Sequence, residues 1–582
     1  MKIKYFSLLL FLVTASLFAQ EEKKDSIKAR VYGSFESNSQ WYLNDKKRAI
    51  RHDSVPVRSN NYLSVNYNYG RWTTGIQAES YLTEALLNYN PKYRKTNLGT
   101  YFVNYKTTKI DATIGHFYEQ FGSGLLLRSY EDRSLGINNA IRGGRVNFKP
   151  NNNLSFTALY GKHRTGFDVS KGAIFGFDSN FNLSSLLKKS SYELTLGLSY
   201  VGRYEKSYFA TPNFSELTNA YSGRLNFTKN NFYINGEYNF KSKDAVLIVA
   251  SNKVSNDFIK PGSAVLVNFG YSKKGIGFDT TLRRLENMTF LSEREPKFVG
   301  IERTSLFYND RLMNFLPSLT KQNHSNLSNI YVYQAQGGVN LDSSNGITKA
   351  GEIGGQVDFF YDFKKSSPLG GKYGTKIAVN FSNWYNLGGK YTFEDQNGNY
   401  APNYSTNFFQ TKEKYYSDYN LEISKKFTSK VNGSISYINQ YYNNRYITGA
   451  ANLVIKTNIV NAETTIKFAK TKSFTFGLEH MWADADRKNW LSTSLEYNHN
   501  ANWSMYVTDM YNYGFDPNES LISHDVDAFK IHFYNIGGSY KKGNSRIALN
   551  YGRQRGGLVC AGGVCRYVPQ STGISLSLST SF

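Results

Sequence analysis

Residues 192–200 read Tyr192-Glu193-Leu194-Thr195-Leu196-Gly197-Leu198-Ser199-Tyr200, with a large apolar or aromatic side chain at every second position and Glu, Thr, Gly and Ser between them. Successive strand side chains point to opposite faces, so this stretch makes a ribbon with one apolar and one polar face. The same period recurs in Leu63-Ser64-Val65-Asn66-Tyr67-Asn68-Tyr69, in residues 232–240 and in residues 491–497. With flanking residues many of these segments run to roughly eight to twelve residues, beyond the five or six usual in a soluble sandwich. That length fits a tilted strand crossing the hydrocarbon of a bilayer.

The connections carry the second signal. Tight links occur at Tyr69-Gly70-Arg71, Lys106-Thr107-Thr108-Lys109, Lys149-Pro150-Asn151-Asn152, Lys188-Lys189-Ser190-Ser191, Thr228-Lys229-Asn230-Asn231, Lys273-Lys274-Gly275, Lys425-Lys426-Phe427-Thr428, Lys470-Thr471-Lys472, Asn500-Ala501-Asn502 and Lys541-Lys542-Gly543. Between them fall long links such as 122–142, 164–176, 288–347 and 387–414. Short turns at one end and long loops at the other describe an all-β, up-and-down transmembrane barrel, here of about 24 strands (22–26 by this counting), with periplasmic turns, extracellular loops and some loops folded into the lumen. The last segment alternates almost to its end in Phe582, which is similar to the terminal insertion signal read by barrel-assembly machinery.

Composition agrees. The 582 residues include 46 Tyr, 40 Phe and 6 Trp, too many aromatics for a disordered chain. After the first twenty residues no apolar run is long enough for a membrane helix, and 11 Pro against 48 Gly exclude proline-rich and collagen-like chains. Lys2, Lys4, the apolar run Leu8 to Val13 and Ala19 read as a signal peptide over 1–19, leaving one barrel domain over 20–582. The net charge of +24 would indicate nucleic acid for a soluble chain, but export removes that partner. Lys in eight of the ten turns instead suits anionic headgroups, so the expected partners are outer-membrane lipid and lipopolysaccharide, with simple solvation of the turns as the other account. TonB-coupled uptake is not expected, because no plug-sized stretch separates Gln20 from the first strand near Ile27.

The densest charged segment runs from Phe121 to Arg145 and carries Arg128, Glu131, Asp132, Arg133, Arg142 and Arg145 between candidate strands 110–121 and 146–150. Leu125-Leu126-Leu127, Leu135 and Ile137 are too apolar for a freely solvated loop, so the segment is expected to fold inward. There the charges either line a constriction, as rings of charge do in pores, or pin the loop as a network. A second segment, 283–322, mixes apolar and charged residues and is read as a lid, a plug or a surface loop. Cys560 and Cys565 close a small loop as a disulfide in an oxidising compartment; a metal site would need further ligands.

Phe117-Tyr118-Glu119-Gln120-Phe121-Gly122-Ser123-Gly124, with Arg128-Ser129-Tyr130-Glu131-Asp132-Arg133, Leu135-Gly136-Ile137 and Leu316-Pro317-Ser318-Leu319-Thr320-Lys321-Gln322, resembles an uncharacterised family of outer-membrane β-barrel proteins from Bacteroidota. The resemblance covers nearly the whole mature chain. It implies compartment and architecture and transfers no catalytic or ligand-binding residue.

Enzyme signals are weak. The eight His are scattered, and Ser523-His524-Asp525 places three triad types as chain neighbours, which seldom aim at one another. His116 and Glu119 lie at odd spacing on a strand, hence on opposite faces. Asp395-Gln396-Asn397-Gly398-Asn399 lacks the late Glu of a calcium loop and reads as a turn. Asp484, Asp486, Asp516, Asp525 and Asp527 offer a rim for divalent ions or for lipopolysaccharide bridging. No enzyme activity, cofactor or metal is expected. The reading is a porin-like channel for a polar solute; the alternative is a non-conducting subunit or scaffold of an envelope complex for protein export or outer-membrane assembly.

Overall fold

The computed structural model describes residues 28–52, 54–87, 89–90, 92–189, 191–206, 213–248, 253–294, 310–449, 453–514 and 530–582. The signal-peptide reading, Ser523-His524-Asp525, Asp516 and Asp527 lie outside them. Twenty-four antiparallel strands, each paired with its neighbours in chain order, form one sheet. It closes where Arg30–Leu43 pairs with Ser571–Ser581, from Ser34 opposite Ser581 to Leu43 opposite Thr572. Closure satisfies the backbone of every strand and leaves no edge, which a bilayer requires.

The two-residue period sorts the faces. Along Ser473–Ala483, Phe474, Phe476, Leu478 and Trp482 are exposed on the outer wall, while Glu479 and Met481 turn inward and are buried. All ten tight links lie at one end of the barrel, together with an eleventh, 364–374, the start of strand Arg30–Leu43 and the C-terminal Phe582. That eleventh escaped the sequence reading because it spans eleven residues, Lys364 to Gly374. The opposite end carries the long connections.

One expected long link is mostly strand. Residues 387–414 belong to Thr375–Glu394 and Tyr400–Lys426, which continue as a hairpin with a turn at 395–399. The pairing persists from Gly389 opposite Thr406 to Glu394 opposite Tyr400, with register shifts between Trp384 and Gly389. Beyond the hydrocarbon the outer face of a ribbon need not be apolar, so the alternation fades while the backbone ladder continues and composition alone imitates a loop, even though Tyr391, Phe393 and Tyr404 pack on one side.

Phe582 completes the short-turn end. Its N–H donates to the Gly33 carbonyl at 3.0 Å, and its carbonyl accepts from Gly33 N–H at 2.9 Å. The ring covers Gly33, where a Cβ would come within 2.7 Å of it.

Candidate functional site in the lumen

Three segments from the long-loop end fold into the barrel: residues 118–140, the connection between Ile276–Glu286 and Gly351–Phe363, and the hairpin Gly557–Ala561/Val564–Val568. In the first, Leu125, Leu126 and Leu127 are at most 2% exposed and Leu135 and Ile137 are equally buried. Leu126 and Leu127 pack with Phe117, Ile141, Leu159 and Ile174 of the wall and with Phe290 and Met313 of the second segment. Each leucine so buried contributes about 1.5–3 kcal/mol. The second segment packs against the opposite wall, with Leu327, Tyr331 and Tyr333 among Trp384, Tyr416, Ile438 and Trp490.

The segments also hydrogen-bond to one another. Arg128 N–H reaches the Met313 carbonyl at 2.7 Å, Phe315 N–H the Gly124 carbonyl at 2.8 Å, and Asn314 Nδ2 the Leu125 carbonyl at 3.1 Å. The third segment is a two-residue hairpin, Ala561-Gly562-Gly563-Val564, whose glycines adopt φ of 55° and 79° as a turn of this kind demands. Its strands are joined by the Cys560–Cys565 disulfide. Gly563 accepts from Ser318 N–H at 2.7 Å, and its missing Cβ leaves room for Pro317. Arg566 donates to the Leu135 carbonyl and so ties the hairpin to the first segment.

Buried charge anchors these segments to the wall. Arg283 donates to Glu352 through Nε at 3.0 Å and Nη2 at 2.5 Å, and through Nη1 to the Pro317 carbonyl at 2.6 Å. The other Glu352 oxygen accepts the Tyr333 hydroxyl at 2.5 Å and Gln336 N–H at 2.6 Å. Burial and the facing Glu352 carboxylate raise the Tyr333 hydroxyl well above its usual range, so it stays a donor. Glu479 gathers Ser325 Oγ at 2.6 Å and the N–H groups of Asn326 and Leu327 at 3.0 and 3.1 Å. Lys349 is buried too; desolvation brings its amine down to about 8 against the pull of Glu352. Its Nζ donates to Gln336 Oε1 at 2.8 Å and to the Tyr446 carbonyl at 2.9 Å. Burial likewise raises the Asp310 carboxyl, against the opposing charge of Arg566.

Of the six charges singled out in 121–145, five lie on the inner side, each with its own partners. Arg133 Nη1 meets Glu36 Oε2 of the wall at 2.6 Å, its Nε meets Glu131 at 3.2 Å, and its guanidinium lies 4.2 Å from the Tyr62 ring. Arg145 bridges Asp111 at 2.5 Å and Glu119 at 3.2 Å. Arg128 stacks 3.8 Å from the Phe315 ring, and Asp132 accepts Ser134 Oγ and Leu135 N–H within its own turn. Arg142 is a correction: it is exposed on the outer wall, opposite His116 and Lys162. The strand starts at Ile141, and its period turns Ile141 and Arg145 inward and Arg142, Val146 and Phe148 outward. The geometry matches the pinning network more closely than two facing rows of charge.

Beside the plug, a cavity of about 670 Å³ separates residues 318–333 from the wall and the disulfide hairpin. Polar side chains line it: Gln322, Asn326 and Asn329 from the plug, and Asp418, Gln440, Thr508, Asn535, Asn550 and Ser575 from inward positions of six wall strands. Lys321, Arg553 and Arg555 add charge, Tyr333, Tyr416 and Phe533 add aromatic faces, and Val332, Met510, Leu558 and Val559 add apolar surface. The sequence reading did not single out these wall residues, although alternation marks each as facing away from lipid. What it lacked was the register that brings six distant strands to one hollow.

Asp395 accepts from Asn397 N–H, Asn399 N–H and Asn399 Nδ2 at 2.8–3.2 Å, an ordinary turn whose bonds lower the carboxyl below its usual range. Among the described residues no three His, Cys, Asp or Glu side chains converge as metal ligands.

A family model described as a family of unknown function, DUF6029, matches residues 1–582. The chain belongs to DUF6029. Comparison with curated proteins returns no match. Among solved structures this DUF6029 barrel is similar to the siderophore receptor PirA from Pseudomonas aeruginosa, with 8% identity, 96% of this chain and 81% of that chain covered, and a TM-score of 0.41. It is similar to the P pilus usher PapC translocation pore at 8% identity, 95% and 99% coverage and a TM-score of 0.41. For OccK3 (OpdO) from Pseudomonas aeruginosa the values are 9%, 78% and 96%, and 0.33.

Proposed function

We propose that this DUF6029 chain is an integral outer-membrane barrel of a Bacteroidota cell that passes a small polar solute through the hollow beside its plug. The cavity of about 670 Å³ carries this reading: an unfilled hollow with apolar surface and hydrogen-bonding side chains from six wall strands is the kind of lining that holds a small polar molecule. The fixed plug narrows the lumen, and the wall opposite supplies neutral hydrogen-bonding groups from Gln440, Asn535 and Asn550. The short-turn end faces the periplasm, where its Lys residues meet anionic lipid, and the long-loop end faces lipopolysaccharide. Insertion passes through the barrel-assembly machinery with Phe582 as its signal. No cofactor and no catalytic step enter the reading.

Conductance of the purified full chain in planar bilayers tests it. Discrete openings are expected, and Arg133→Ala, which frees the plug from Glu36, raises their amplitude. A wild type that carries no current refutes the channel.

A second reading, a non-conducting subunit or scaffold of an envelope complex, draws on Phe408 and Phe409, which stand 47% and 82% exposed on the long hairpin strand Tyr400–Lys426. Isolation of stoichiometric envelope partners that are lost in Phe409→Ser supports it.

A further inference from the structure

Outside the lumen, the lipid-facing wall carries a notch at Gly144. This residue points outward in strand Ile141–Asn151, with Ile114 opposite it on one neighbouring strand and Tyr160 opposite it on the other. Ile114 and Tyr160 stand 75% and 62% exposed. A Cβ at Gly144 would meet only the Thr113 carbonyl oxygen, at 4.0 Å, and its φ lies outside the left-handed region. Neither backbone conformation nor crowding calls for glycine here. A glycine inside a strand lowers stability and commonly marks a place where something else approaches the backbone. The result is a groove with Gly144 as its floor and two tall side chains as its walls. It continues toward the short-turn end over Ala112 and Ala158, the small residues on either side of Val146.

The long-loop end of the groove is closed by charge. Arg142 and Lys162 stand directly opposite each other, one outward position beyond Gly144. Like charges so placed on adjacent strands are destabilising unless an anion lies between them. Among the described residues none supplies it. Arg142 donates no hydrogen bond and forms no ion pair there, and Lys162 Nζ reaches the Lys171 carbonyl at 3.2 Å. On the other side of Arg142, the His116 ring packs against Tyr101 with centroids 4.9 Å apart and brings no negative charge. No outward position of these three strands, or of the flanking strands Lys95–Lys106 and Ala173–Asn182, is acidic. The acids of connections 118–140 and 166–172 are engaged elsewhere: Glu119 with Arg145, Glu131 with Arg133, Asp132 with Ser134, and Asp168 with the Val169 N–H.

We infer that this groove binds one phosphorylated lipid of the leaflet at the long-loop end, its phosphate bridging Arg142 and Lys162 and an acyl chain lying over Gly144. The order of the parts favours a lipid over a free anion: cations toward the loops, then the notch, then apolar wall, as headgroup and chain are ordered in a leaflet. Arg142 presents a planar fork and Lys162 a point charge, the two modes by which phosphate is held. Ile114, Tyr160 and the exposed Val146 give the chain apolar contact along its length. With the long-loop end outward, as the proposed function has it, the lipid is the lipid A part of lipopolysaccharide. The inference rests on that orientation and not on conduction.

Native mass spectrometry of the purified full chain in detergent, titrated with bisphosphorylated lipid A, tests it. One lipid A is expected to stay bound per chain, and lipid A stripped of its phosphates to bind more weakly. Arg142→Ala with Lys162→Ala weakens lipid A by roughly thirtyfold, from about fivefold for each charge lost beside an anionic headgroup. Arg142→Lys with Lys162→Arg retains it, which separates loss of charge from loss of fold. Gly144→Val fills the notch with a residue that suits a strand and weakens lipid A by about fifteenfold, the equivalent of two methylenes losing contact. Gly223→Val is the control and leaves binding unchanged: Gly223 is as open on the outer wall, between Leu198 and Tyr238, with no cation beside it. Equal binding of lipid A with and without phosphate, full binding in the alanine pair, or the same loss from Gly223→Val as from Gly144→Val overturns the inference. Displacement of lipid A by inorganic phosphate alone assigns the two cations to a free anion and overturns it as well. Tighter binding of phosphatidylglycerol than of lipid A, lost in the same variants, overturns the choice of leaflet and with it the outward long-loop end. Absence of current in planar bilayers bears only on the channel.

Discussion

Removing Glu352 should release the plug without unrolling the barrel. The carboxylate is fully buried and serves four donors at once: two from Arg283, one from Tyr333 and one from Gln336. Glu352→Ala leaves the Arg283 guanidinium buried and uncompensated, a loss of about 3–5 kcal/mol for a broken interior pair. The orphaned Gln336 N–H and Tyr333 hydroxyl add about 1–3 kcal/mol each where water cannot reach them. The twenty-four-strand ladder keeps its own hydrogen bonds, so the loss falls on residues 316–336. At 1.36 kcal/mol per decade, even the lower figure predicts amide exchange in that segment faster by roughly a hundredfold or more. Hydrogen exchange read by mass spectrometry on the detergent-solubilised protein follows it, with strand Gly351–Phe363 as the internal reference. Arg283→Met combined with Glu352→Leu removes both charges and should restore most of the protection, because apolar replacement of a buried pair is often neutral. Unchanged exchange over 316–336 in Glu352→Ala would refute the anchoring argument. So would equal acceleration throughout the barrel.

Four further outcomes follow from the same geometry. Lys349 titrates at about 8 in place, below its ordinary 10.5, so the released segment binds more protons than the docked one between those values. Docking therefore strengthens as pH rises from 8 to 10.5, by about 3 kcal/mol at most, and exchange corrected for its intrinsic pH dependence should lose this trend in Lys349→Met. Replacing Cys560 and Cys565 by Ser opens a loop of six residues and loosens the hairpin by about 2 kcal/mol, seen as proteolysis near Gly563 that the parent resists. Arg142→Ala should leave single-channel conductance at the parent value while Arg133→Ala changes it; the reverse pattern would contradict the assigned faces. Gly33→Val should depress the yield of folded barrel on semi-native gels, since the added side chain takes the space of the Phe582 ring.

The barrel was legible because lipid enforces a strict rule: stretches such as 192–200 and 491–497 must keep one face apolar, and the ten turns between such segments recur at regular spacing. The inward course of 121–145 was legible for a related reason, as Leu125, Leu126 and Leu127 have no place in water. Partner choice was not. Arg133 pairs with Glu36 and Arg283 with Glu352 across 97 and 69 residues of chain, and no local pattern encodes such distances. Arg142 and Arg145 carry the same charge three positions apart, yet the strand period sends them to opposite faces once its start at Ile141 is fixed. The long hairpin at 375–426 was hidden by the loss of alternation above the hydrocarbon. The cavity walls were visible only as inward polar positions, without the curvature that assembles them.

A tube of this many strands is wide and, if hollow, free to flatten. Here one brace springs from the wall near Phe117 and another from the wall near Leu285, and they meet at Arg128, Met313 and Phe315. Such a strut fixes the cross-section much as a spoke fixes a rim, so the open side keeps one width under lateral pressure from the surrounding lipid. Loosening the joint at Phe315 would let the ring become oval, and any sieving by size would broaden even though no residue of the hollow itself had changed.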